Sequence, residues 1–136
     1  MLPQTPSLTV DAIILLENRV VLVKRKNYPF QGNFALPGGF VAIGESTEKA
    51  VIRESFEETC LLIKILKLVG VYSDPQRDPR GHIVSVCYLT KGSGRLRSSS
   101  DASSVELFEL ESIPELAFDH NKMINDAKSD INAVLY

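Results

Sequence analysis

Residues 39–61, GFVAIGESTEKAVIRESFEETCL, decide the fold of this 136-residue chain. The segment starts as a loop at Gly39, and Ser46 or Thr47 then supplies the hydroxyl that commonly caps the first turn of a helix. Glu48 follows in that turn, where a carboxylate interacts favourably with the helix dipole. We therefore predict a loop followed by a helix that ends near Thr59.

Three glutamates of this predicted helix share one face. Each residue turns the helix by ~100°, which places Glu54, Glu57 and Glu58 within about 100° of one another. The opposite face, which we expect to pack on the core, carries Ile52, Ser55, Phe56 and Thr59. Clustered carboxylates repel one another, whereas hard cations such as Mg²⁺ or Mn²⁺ favour oxygen ligands. The cluster therefore favours a metal site, although a solvated acidic face is the alternative.

The residues around the cluster fit the metal interpretation. Arg53 lies four residues before Glu57 and can orient the carboxylates, and Glu45 can join the cluster from the preceding loop. Gly38 and Gly39 allow the backbone to approach closely, so that a carbonyl there can also bind a cation. We predict Glu45 and Gly38 to be supporting residues.

The spacing of these residues decides between the two interpretations. Gly39 is followed after five residues by Glu45, after seven more by Arg53-Glu54, and after two more by Glu57-Glu58. Six fixed positions at average usage would match by chance on the order of once in 10⁷ windows. This pattern is the Nudix box, and the chain resembles the Nudix hydrolase family over its whole length.

The resemblance implies a fold, a reaction and a set of ligands. In that family the box forms a loop, a helix and a loop beside a mixed sheet, and its glutamates bind catalytic metals. On this chain the implied metal ligands are Glu54, Glu57 and Glu58, with the Gly39 carbonyl as a further candidate. Glu54 or Glu57 would be the catalytic base, and Arg53 would orient them. The implied cofactor is Mg²⁺, with Mn²⁺ as a substitute.

Two positions depart from the box of the family, which prefers an aliphatic residue at Ser55 and glycine at Cys60. A hydroxyl on the buried face needs a hydrogen-bond partner. Glycine after a helix accepts positive φ at little cost, whereas a residue with a Cβ is strained there. Cys60 therefore has either a strained left-handed backbone or an ordinary φ with its thiol packed on the core.

The rest of the chain alternates between strands and loops. Residues 10–16 and 20–23 flank a polar turn and predict a β-hairpin. Further strands are predicted at 34–36, ending at Pro37-Gly38-Gly39, and at 61–72, 83–89 and 105–110, with loops at 73–81 and 91–104. Apolar residues Ile124, Ala127, Ile131 and Val134 recur at helical spacing near the C-terminus. We predict one α/β (α+β) domain over residues 1–136, with a mixed sheet sandwiched between helices.

Composition excludes several classes of function. The formal net charge of −2 argues against nonspecific nucleic-acid binding. No apolar run approaches the ~20 residues of a membrane span, and the N-terminus lacks the features of a signal peptide. Cys60 and Cys87 are too few for a disulfide scaffold and match no zinc pattern. We expect free thiols, a cytoplasmic location and no membrane partner.

The loop at residues 73–82 bears on the substrate. This segment, with residues 27–30, 35–40 and 116–120, resembles small prokaryotic ADP-ribose pyrophosphatases, in which a proline about fifteen residues beyond the box is typical; Pro75 occupies that place. The resemblance implies cleavage of ADP-ribose to AMP and ribose 5-phosphate. Arg77 and Arg80 are candidates for binding a phosphate, and solvated loop charges are the alternative.

Other candidate residues lie outside the box. Many family members carry an acid near Ser104, which can serve as an extra metal ligand or base. This chain has serine there, so Glu106 or Asp101 is the candidate to replace that acid, and Glu106 is also a candidate for binding the substrate. The candidates for stacking on the base are Tyr28, Phe40, Tyr72 and Phe118. We assign His82 and His120 structural roles, because neither belongs to a visible catalytic pattern.

Two other functions remain open. A nucleoside triphosphate pyrophosphohydrolase of the 8-oxo-dGTP type would use the same box and release pyrophosphate. A non-catalytic nucleotide-binding module belongs to another class, and the complete acidic cluster argues against it. In each case the partner is a small-molecule nucleotide, and the resemblance to ADP-ribose pyrophosphatases also implies a homodimer.

Overall fold

The computed structural model describes residues 1–98 and 104–135. Its strands, in chain order, are β1 (Ser7–Leu16), β2 (Arg19–Lys24), β3 (Phe34–Ala35), β4 (Gly38–Phe40), β5 (Leu62–Tyr72), β6 (Ile83–Ser93) and β7 (Ser104–Phe108). Its helices are α1 (Thr47–Thr59), a short 3₁₀ turn (Leu110–Ser112) and α2 (His120–Leu135).

The strands form one mixed sheet with β1 at its centre. The order is β3-β2-β1-β6-β5, with β4 added to β1 and β7 added to β2. β1 and β2 form the expected hairpin, and its turn residues Glu17 and Asn18 both have positive φ, 51° and 60°, as a type I′ turn requires. β6 runs parallel to β1, and the other pairs are antiparallel.

Alternate residues of the sheet build a core on each face. Ile13 and Leu15 of β1 pack with α2 residues such as Met123, whereas Ala12 and Ile14 pack with Val51 of α1 and its neighbours. The sheet therefore lies between the two helices, which confirms the predicted fold class.

The site is created where β1 changes partner along one edge. β2 pairs with β1 only at Leu15 and Leu16, then diverges and pairs with β3. β4 takes the vacated edge at Thr9–Asp11. Leu36 and Pro37 cross from one strand pair to the other, and the divergence opens a cleft beside the crossing.

Some predicted boundaries were wrong. The glycines after Pro37 do not end the extended chain, because Gly38–Phe40 forms β4 against β1. β6 continues to Ser93, since Lys91, Gly92 and Ser93 pair with β5, so the predicted loop starts later than residue 91. β7 ends at Phe108, and Leu110 belongs to the 3₁₀ turn.

The inward side of α1 also differs from the prediction. Ala50, Val51, Ser55 and Thr59 are buried, whereas Ile52 and Phe56 are 40% and 46% exposed. At ~100° per residue the buried positions span about half the circumference, and Glu54 and Glu58 fall within that half. The core packs on one side of this arc and β4 covers the other, so Ile52 and Phe56 face outward.

Within the described residues, no helix has the length and apolar character needed to cross a membrane.

Candidate active site

The box helix begins with a side-chain cap and ends in a left-handed residue. The Ser46 hydroxyl accepts a hydrogen bond from the Lys49 N–H at 3.1 Å, which satisfies one of the free donors of the first turn. At the other end Cys60 has φ 63° and ψ 13°, and its N–H donates to the Phe56 carbonyl. The structure therefore selects the strained alternative for Cys60, at a position where glycine would be unstrained.

Arg53 fixes the loop before α1 to the helix. Its Nε and Nη2 donate to the two carboxylate oxygens of Glu45 at 2.7 and 2.9 Å, and Nη2 also donates to the Phe40 carbonyl. Its Nη1 donates to Glu54 at 2.8 Å and to Glu57 at 3.2 Å. The hydrogen bonds from Arg53, helped by the Ala42 N–H, lower the pKa of Glu45 to about 2.

The three glutamates of the box differ in environment. Glu57 is 58% exposed and its carboxylate accepts only from Arg53 among the described residues. The Glu54 side chain is 15% exposed and lies against Gly39, where a Cβ would come within 2.5 Å of its carboxylate. A side chain at Gly39 would therefore displace the Glu54 carboxylate from its place against β4.

Glu58 is the box carboxylate that reaches the cavity. Its Oε1 accepts a hydrogen bond from the Gly38 N–H at 2.8 Å. Burial raises the pKa of Glu58 to about 8; the Gly38 hydrogen bond opposes the rise, and the nearby Glu54 and Asp11 add to it. Burial, partly opposed by Arg53, also raises the pKa of Glu54. The protein groups around Glu54 and Glu58 therefore do not fully compensate the negative charge of the two carboxylates.

This environment fits a divalent cation. A cation between partly buried carboxylates would offset their mutual repulsion, and the ligands offered are the oxygens that Mg²⁺ and Mn²⁺ prefer. As the side chains stand, no three His, Cys, Asp or Glu residues among those described are gathered in the arrangement of a metal site. Arg53 holds Glu54 and Glu57, and Gly38 holds one oxygen of Glu58.

A cavity of about 260 Å³ opens at the cleft between the diverging strands. Gly38, Gly39 and Glu58 of the box line it, and so do the acids Asp11 and Asp78. Five basic residues also line this cavity: Lys24, Arg25, Lys26, Arg77 and Arg80. A site that combines carboxylates for metal ions with a basic wall suits an anionic, metal-bound substrate.

Arg80 is the basic residue most clearly prepared for a ligand. Asp78 is buried, and its carboxylate accepts from the Arg80 backbone N–H, Nε and Nη2, the last at 2.8 Å. The guanidinium lies over the rings of Phe40 and Phe118, at 5.5 and 5.7 Å from their centroids. Among the described residues its Nη1 donates to no protein group, so the two N–H bonds of this nitrogen remain available at the cavity.

Arg77 is held differently from Arg80. Its side chain is 4% exposed. Its Nε and Nη2 donate to Asp119 at 3.0 and 2.7 Å, and Nη1 donates to the Ile83 carbonyl. The guanidinium is thus committed to protein groups, although it contributes positive charge to the cavity wall.

Glu106 lies away from the cavity. It pairs with Leu22 across β2 and β7, and Leu22 belongs to the core on the α2 side, opposite α1. Glu106 is exposed and is not among the described residues that line the cavity. Asp101, the other candidate at this position, falls outside the described residues.

Phe118 is the aromatic residue best placed to contact a planar ring. It lines the cavity and packs edge-on against Phe30 with ring centroids 4.9 Å apart. The Arg25 guanidinium lies 5.0 Å from its centroid. Phe40 also lines the cavity, whereas Tyr28 and Tyr72 are not among its lining residues.

Several residues of the site were missed from the sequence. Asp11 and His120 lie in the cavity wall, and both are buried. The sequence predicts only a structural role for His120, and it points to residues 116–120 only through their resemblance to small prokaryotic ADP-ribose pyrophosphatases. Lys24 ends β2, and Arg25 and Lys26 follow it. The divergence of β2 from β1, which the sequence does not predict, brings these three residues to the box.

Comparison with known proteins places this site among related ones. The sequence profile of the NUDIX domain matches residues 5–127. The chain is 52% identical, over 122 residues, to the ADP-ribose pyrophosphatase of Methanocaldococcus jannaschii; the match covers 89% of this chain and 72% of that protein.

Two further similar proteins are named for ADP-ribose. The ADPR responsive transcriptional repressor NtrR of Acinetobacter baylyi is 30% identical over 94% of this chain, which spans about half of that protein, 55%. The NUDIX domain of Shewanella oneidensis NrtR, solved in complex with ADP ribose, superposes with a TM-score of 0.82 at 31% identity, covering 94% of this chain and 90% of that one.

Proposed function

This chain belongs to the Nudix family, and we propose that it is a metal-dependent hydrolase that cleaves ADP-ribose to AMP and ribose 5-phosphate. The observation that carries the proposal is the 52% identity to an ADP-ribose pyrophosphatase over 89% of the chain. The match to the NUDIX profile over residues 5–127 supports a single catalytic domain over residues 1–136.

The metal ligands that we propose are Glu54, Glu57 and Glu58, with the carbonyl of Gly39, and Mg²⁺ is the proposed ion, replaceable by Mn²⁺. Such ions supply neutralisation of the diphosphate and a water of lowered pKa. The partial burial of Glu54 against Gly39 and of Glu58 against Gly38 supports their part in this set. Glu57 is the more exposed ligand, and its contact with Arg53 keeps it on the same side as Glu54.

The catalytic base that we propose is Glu54 or Glu57, which would accept the proton of the attacking water. Arg53 donates to both carboxylates and so orients either one. Glu45 in turn holds Arg53 through two hydrogen bonds, which supports its role as a supporting residue.

The substrate contacts that we propose use the basic and aromatic wall. The free Nη1 of Arg80 donates to a phosphate oxygen, and the face of Phe118 stacks on the adenine. Arg77 contributes charge from behind, because its own hydrogen bonds are taken. The location of Glu106 on the α2 side of the sheet gives its proposed contact no support.

A substrate panel with Mg²⁺ tests the proposal. We expect ADP-ribose to give the highest kcat/KM, with AMP and ribose 5-phosphate as products resolved by chromatography, and exhaustive chelation to abolish turnover. A nucleoside triphosphate that wins the panel and releases pyrophosphate would assign the chain to the 8-oxo-dGTP type. Full activity after chelation would contradict the metal mechanism.

A non-catalytic module is the second candidate, and the likeness to an ADPR responsive repressor and to a NUDIX domain solved with bound ADP ribose favours it. The two functions differ in turnover rather than in binding. Calorimetric binding of ADP-ribose without product formation in Mg²⁺ or Mn²⁺ would select the module. We favour the enzyme, because Gly39, Glu45, Arg53-Glu54 and Glu57-Glu58 are all present.

A second copy of the chain is the protein partner that we propose. β5 is the last strand of the sheet, and Leu62, Leu68 and Val71 on it are 63%, 50% and 59% exposed. An exposed apolar edge strand of this kind supports self-association. Light scattering after gel filtration measures the mass directly, and a monomer at micromolar concentration would contradict the proposal.

The cytoplasm is the compartment that we propose. Both cysteines are free, and burial raises the pKa of the Cys87 thiol, which keeps it protonated and unreactive. Free thiols of this kind suit a reducing compartment. Cell fractionation followed by immunoblotting checks the location.

A further inference from the structure

The wall of the cavity contains a buried chain of hydrogen bonds that none of the proposed catalytic steps uses. His120, the first residue of α2, is 3% exposed, and its Nδ1 accepts the N–H of Leu36 at 3.0 Å. Its Nε2 lies 3.4 Å from Oδ1 of Asp11. The other oxygen of Asp11 accepts a hydrogen bond from the buried Ser85 hydroxyl.

The partners fix the tautomer of the imidazole. Because Nδ1 accepts a backbone N–H, it carries no proton, so Nε2 carries the proton and presents it to Asp11. The pKa of Asp11 is lowered: burial raises it, but the interactions of the carboxylate with His120 and the hydrogen bond from Ser85 outweigh burial. Both ring nitrogens are therefore occupied, and His120 has no free atom with which to act as a general base.

The residue that His120 holds belongs to the crossing between β3 and β4. Three consecutive residues of this crossing are each fixed by a different partner. Leu36 donates to His120, the Pro37 carbonyl accepts from the Ala12 N–H at 2.8 Å, and Gly38 donates to Glu58. Displacement of Leu36 would therefore move the N–H that holds Glu58 and the Gly39 carbonyl next to it.

The packing at Gly38 ties the same carboxylate to the crossing. A Cβ at Gly38 would lie 2.6 Å from Oδ1 of Asp11 and 2.1 Å from the Val10 carbonyl. β4 thus lies directly against the Asp11 side chain. A buried carboxylate in a central strand is costly to desolvate, and an apolar residue there would commonly be as stabilising. Stability of the fold alone gives no reason for Asp11.

We propose that His120 is a positioning residue, which holds the Leu36–Gly39 crossing through its hydrogen bond with Leu36 and thereby sets the geometry of the metal ligands Glu58 and Gly39. The Asp11 carboxylate orients the ring, and the ring fixes Leu36. This inference rests on the proposed metal site but not on the identity of the substrate.

Two substitutions of His120 separate its two hydrogen bonds. In His120→Asn the amide oxygen takes the place of Nδ1 and keeps an acceptor for Leu36, whereas contact with Asp11 is lost. In His120→Gln the amide reaches Asp11 in the place of Nε2, but the acceptor for Leu36 is lost. Both variants remove the same buried ring, so both should lose similar stability in chemical denaturation.

The affinity for Mn²⁺, measured by electron paramagnetic resonance without substrate, is the main readout. We expect His120→Gln to raise the Kd for Mn²⁺ at least about 10-fold and to lower kcat with little change in KM, and His120→Asn to stay within about 3-fold of the wild type. The control is His82→Asn, which changes an exposed histidine bonded to the Ser73 carbonyl; it should leave Mn²⁺ affinity unchanged.

Equal Mn²⁺ affinity in both His120 variants, or losses that only follow stability, would overturn the proposal. A further measurement uses the folded wild type. Titration with Mg²⁺ should shift the Leu36 amide resonance and the ¹⁵N resonances of the His120 ring together with that of Gly38, and unshifted Leu36 and His120 signals would also overturn it. If ADP-ribose proves not to be the substrate, Mn²⁺ binding still tests the positioning role of His120.

Discussion

At the residue scale, Cys60 is a position of backbone strain. It follows the helix that carries the proposed metal ligands and has a φ of 63°, and a residue with a Cβ costs roughly 1 kcal/mol or more in that conformation. We expect Cys60→Gly to stabilise the fold by up to about 1 kcal/mol, less what glycine adds to the entropy of the unfolded chain. kcat should be nearly unchanged, because no ligand moves.

Chemical denaturation of wild type and Cys60→Gly measures this difference. A fall in the midpoint at unchanged slope would contradict the strained cap. Cys60→Ala is the matched control, since it removes the sulfur and keeps the Cβ; it should gain none of the stability that glycine gains.

The glutamates give the second prediction at this scale. We expect Glu57→Gln and Glu58→Gln each to lower kcat by at least about 10²-fold, the scale of losing a general base or a strong electrostatic group. Glu48→Gln, on the same helix but bonded to Thr47, should keep a normal rate. Near-normal kcat in both box variants would show that the reaction occurs elsewhere.

Single residues also show where the sequence was insufficient. The spacing of the glutamates identified the box, because that information is local. Asp11 and His120 are more than a hundred positions apart, so no local pattern indicates that they are in contact. Their contact depends on the long-range strand pairing that places Asp11 between β4 and β6. The unpaired hydroxyl of buried Ser55 was anticipated as a risk, and no partner satisfies it within the described residues.

At the element scale, helical periodicity located α1 but not its inward side. The prediction took the three glutamates as the face opposite the core. The helix instead has neighbours over half of its circumference, so Glu54 and Glu58 are inside and Arg53 and Glu57 lie near the edge. Periodicity measures the contrast between apolar and polar residues, and it fails where a polar face is itself covered by a strand such as β4.

Arg53 supplies the prediction for this element. It is the cation that ties α1 to Glu45 and to the Phe40 carbonyl. Lysine keeps the charge but lacks the planar fork that serves several partners at once. We expect Arg53→Lys to lower kcat at least about 10-fold while changing the melting temperature little, since the Arg53 side chain is partly exposed and exposed ion pairs contribute little stability.

Steady-state kinetics and thermal unfolding of Arg53→Lys separate these effects. Arg19→Lys is the matched control, because Arg19, among the residues that the structure describes, makes a surface ion pair with Glu17 at 3.7 Å and no other ion pair. Loss of activity in proportion to loss of stability would show that Arg53 only holds the helix in place.

At the scale of the whole molecule, the site exists because β1 changes its strand partner along one edge and because residues from distant parts of the chain, Thr9 to His120, line the resulting cleft. Composition and strand patterns predicted a mixed sheet between helices, since alternation and helical spacing are read directly from the sequence. They did not predict that β1 exchanges β2 for β4, because such a change depends on long-range pairing. That change creates the cavity and brings the basic residues after β2 opposite the box.

The ion pair between Asp78 and Arg80, in the loop at residues 73–82, makes the stability of the molecule depend on pH. The Asp78 side chain is 2% exposed, and its pKa is lowered: burial opposes the shift, but hydrogen bonds from the Arg80 side chain and backbone outweigh it. A carboxylate with a lowered folded-state pKa stabilises the fold above its unfolded value of 3.8, and that contribution is lost as pH falls through the folded-state pKa.

Asp78→Asn lacks this titration. The wild type should therefore exceed the variant in free energy of unfolding most clearly above about pH 4, and the difference should shrink below it by at most ~1.4 kcal/mol per pH unit, the slope for one proton. Urea denaturation of both proteins between pH 2.5 and 6, values chosen around the usual aspartate pKa of about 4, measures it. A difference that is constant across this range would mean that the Asp78 charge does not stabilise the loop.

Because Asp78 also holds Arg80 over Phe40 and Phe118, the same variant should raise KM for the substrate at neutral pH while kcat falls less. The Asp78–Arg80 pair is thus expected both to stabilise the loop above about pH 4 and to orient Arg80 toward an anionic ligand in the cavity.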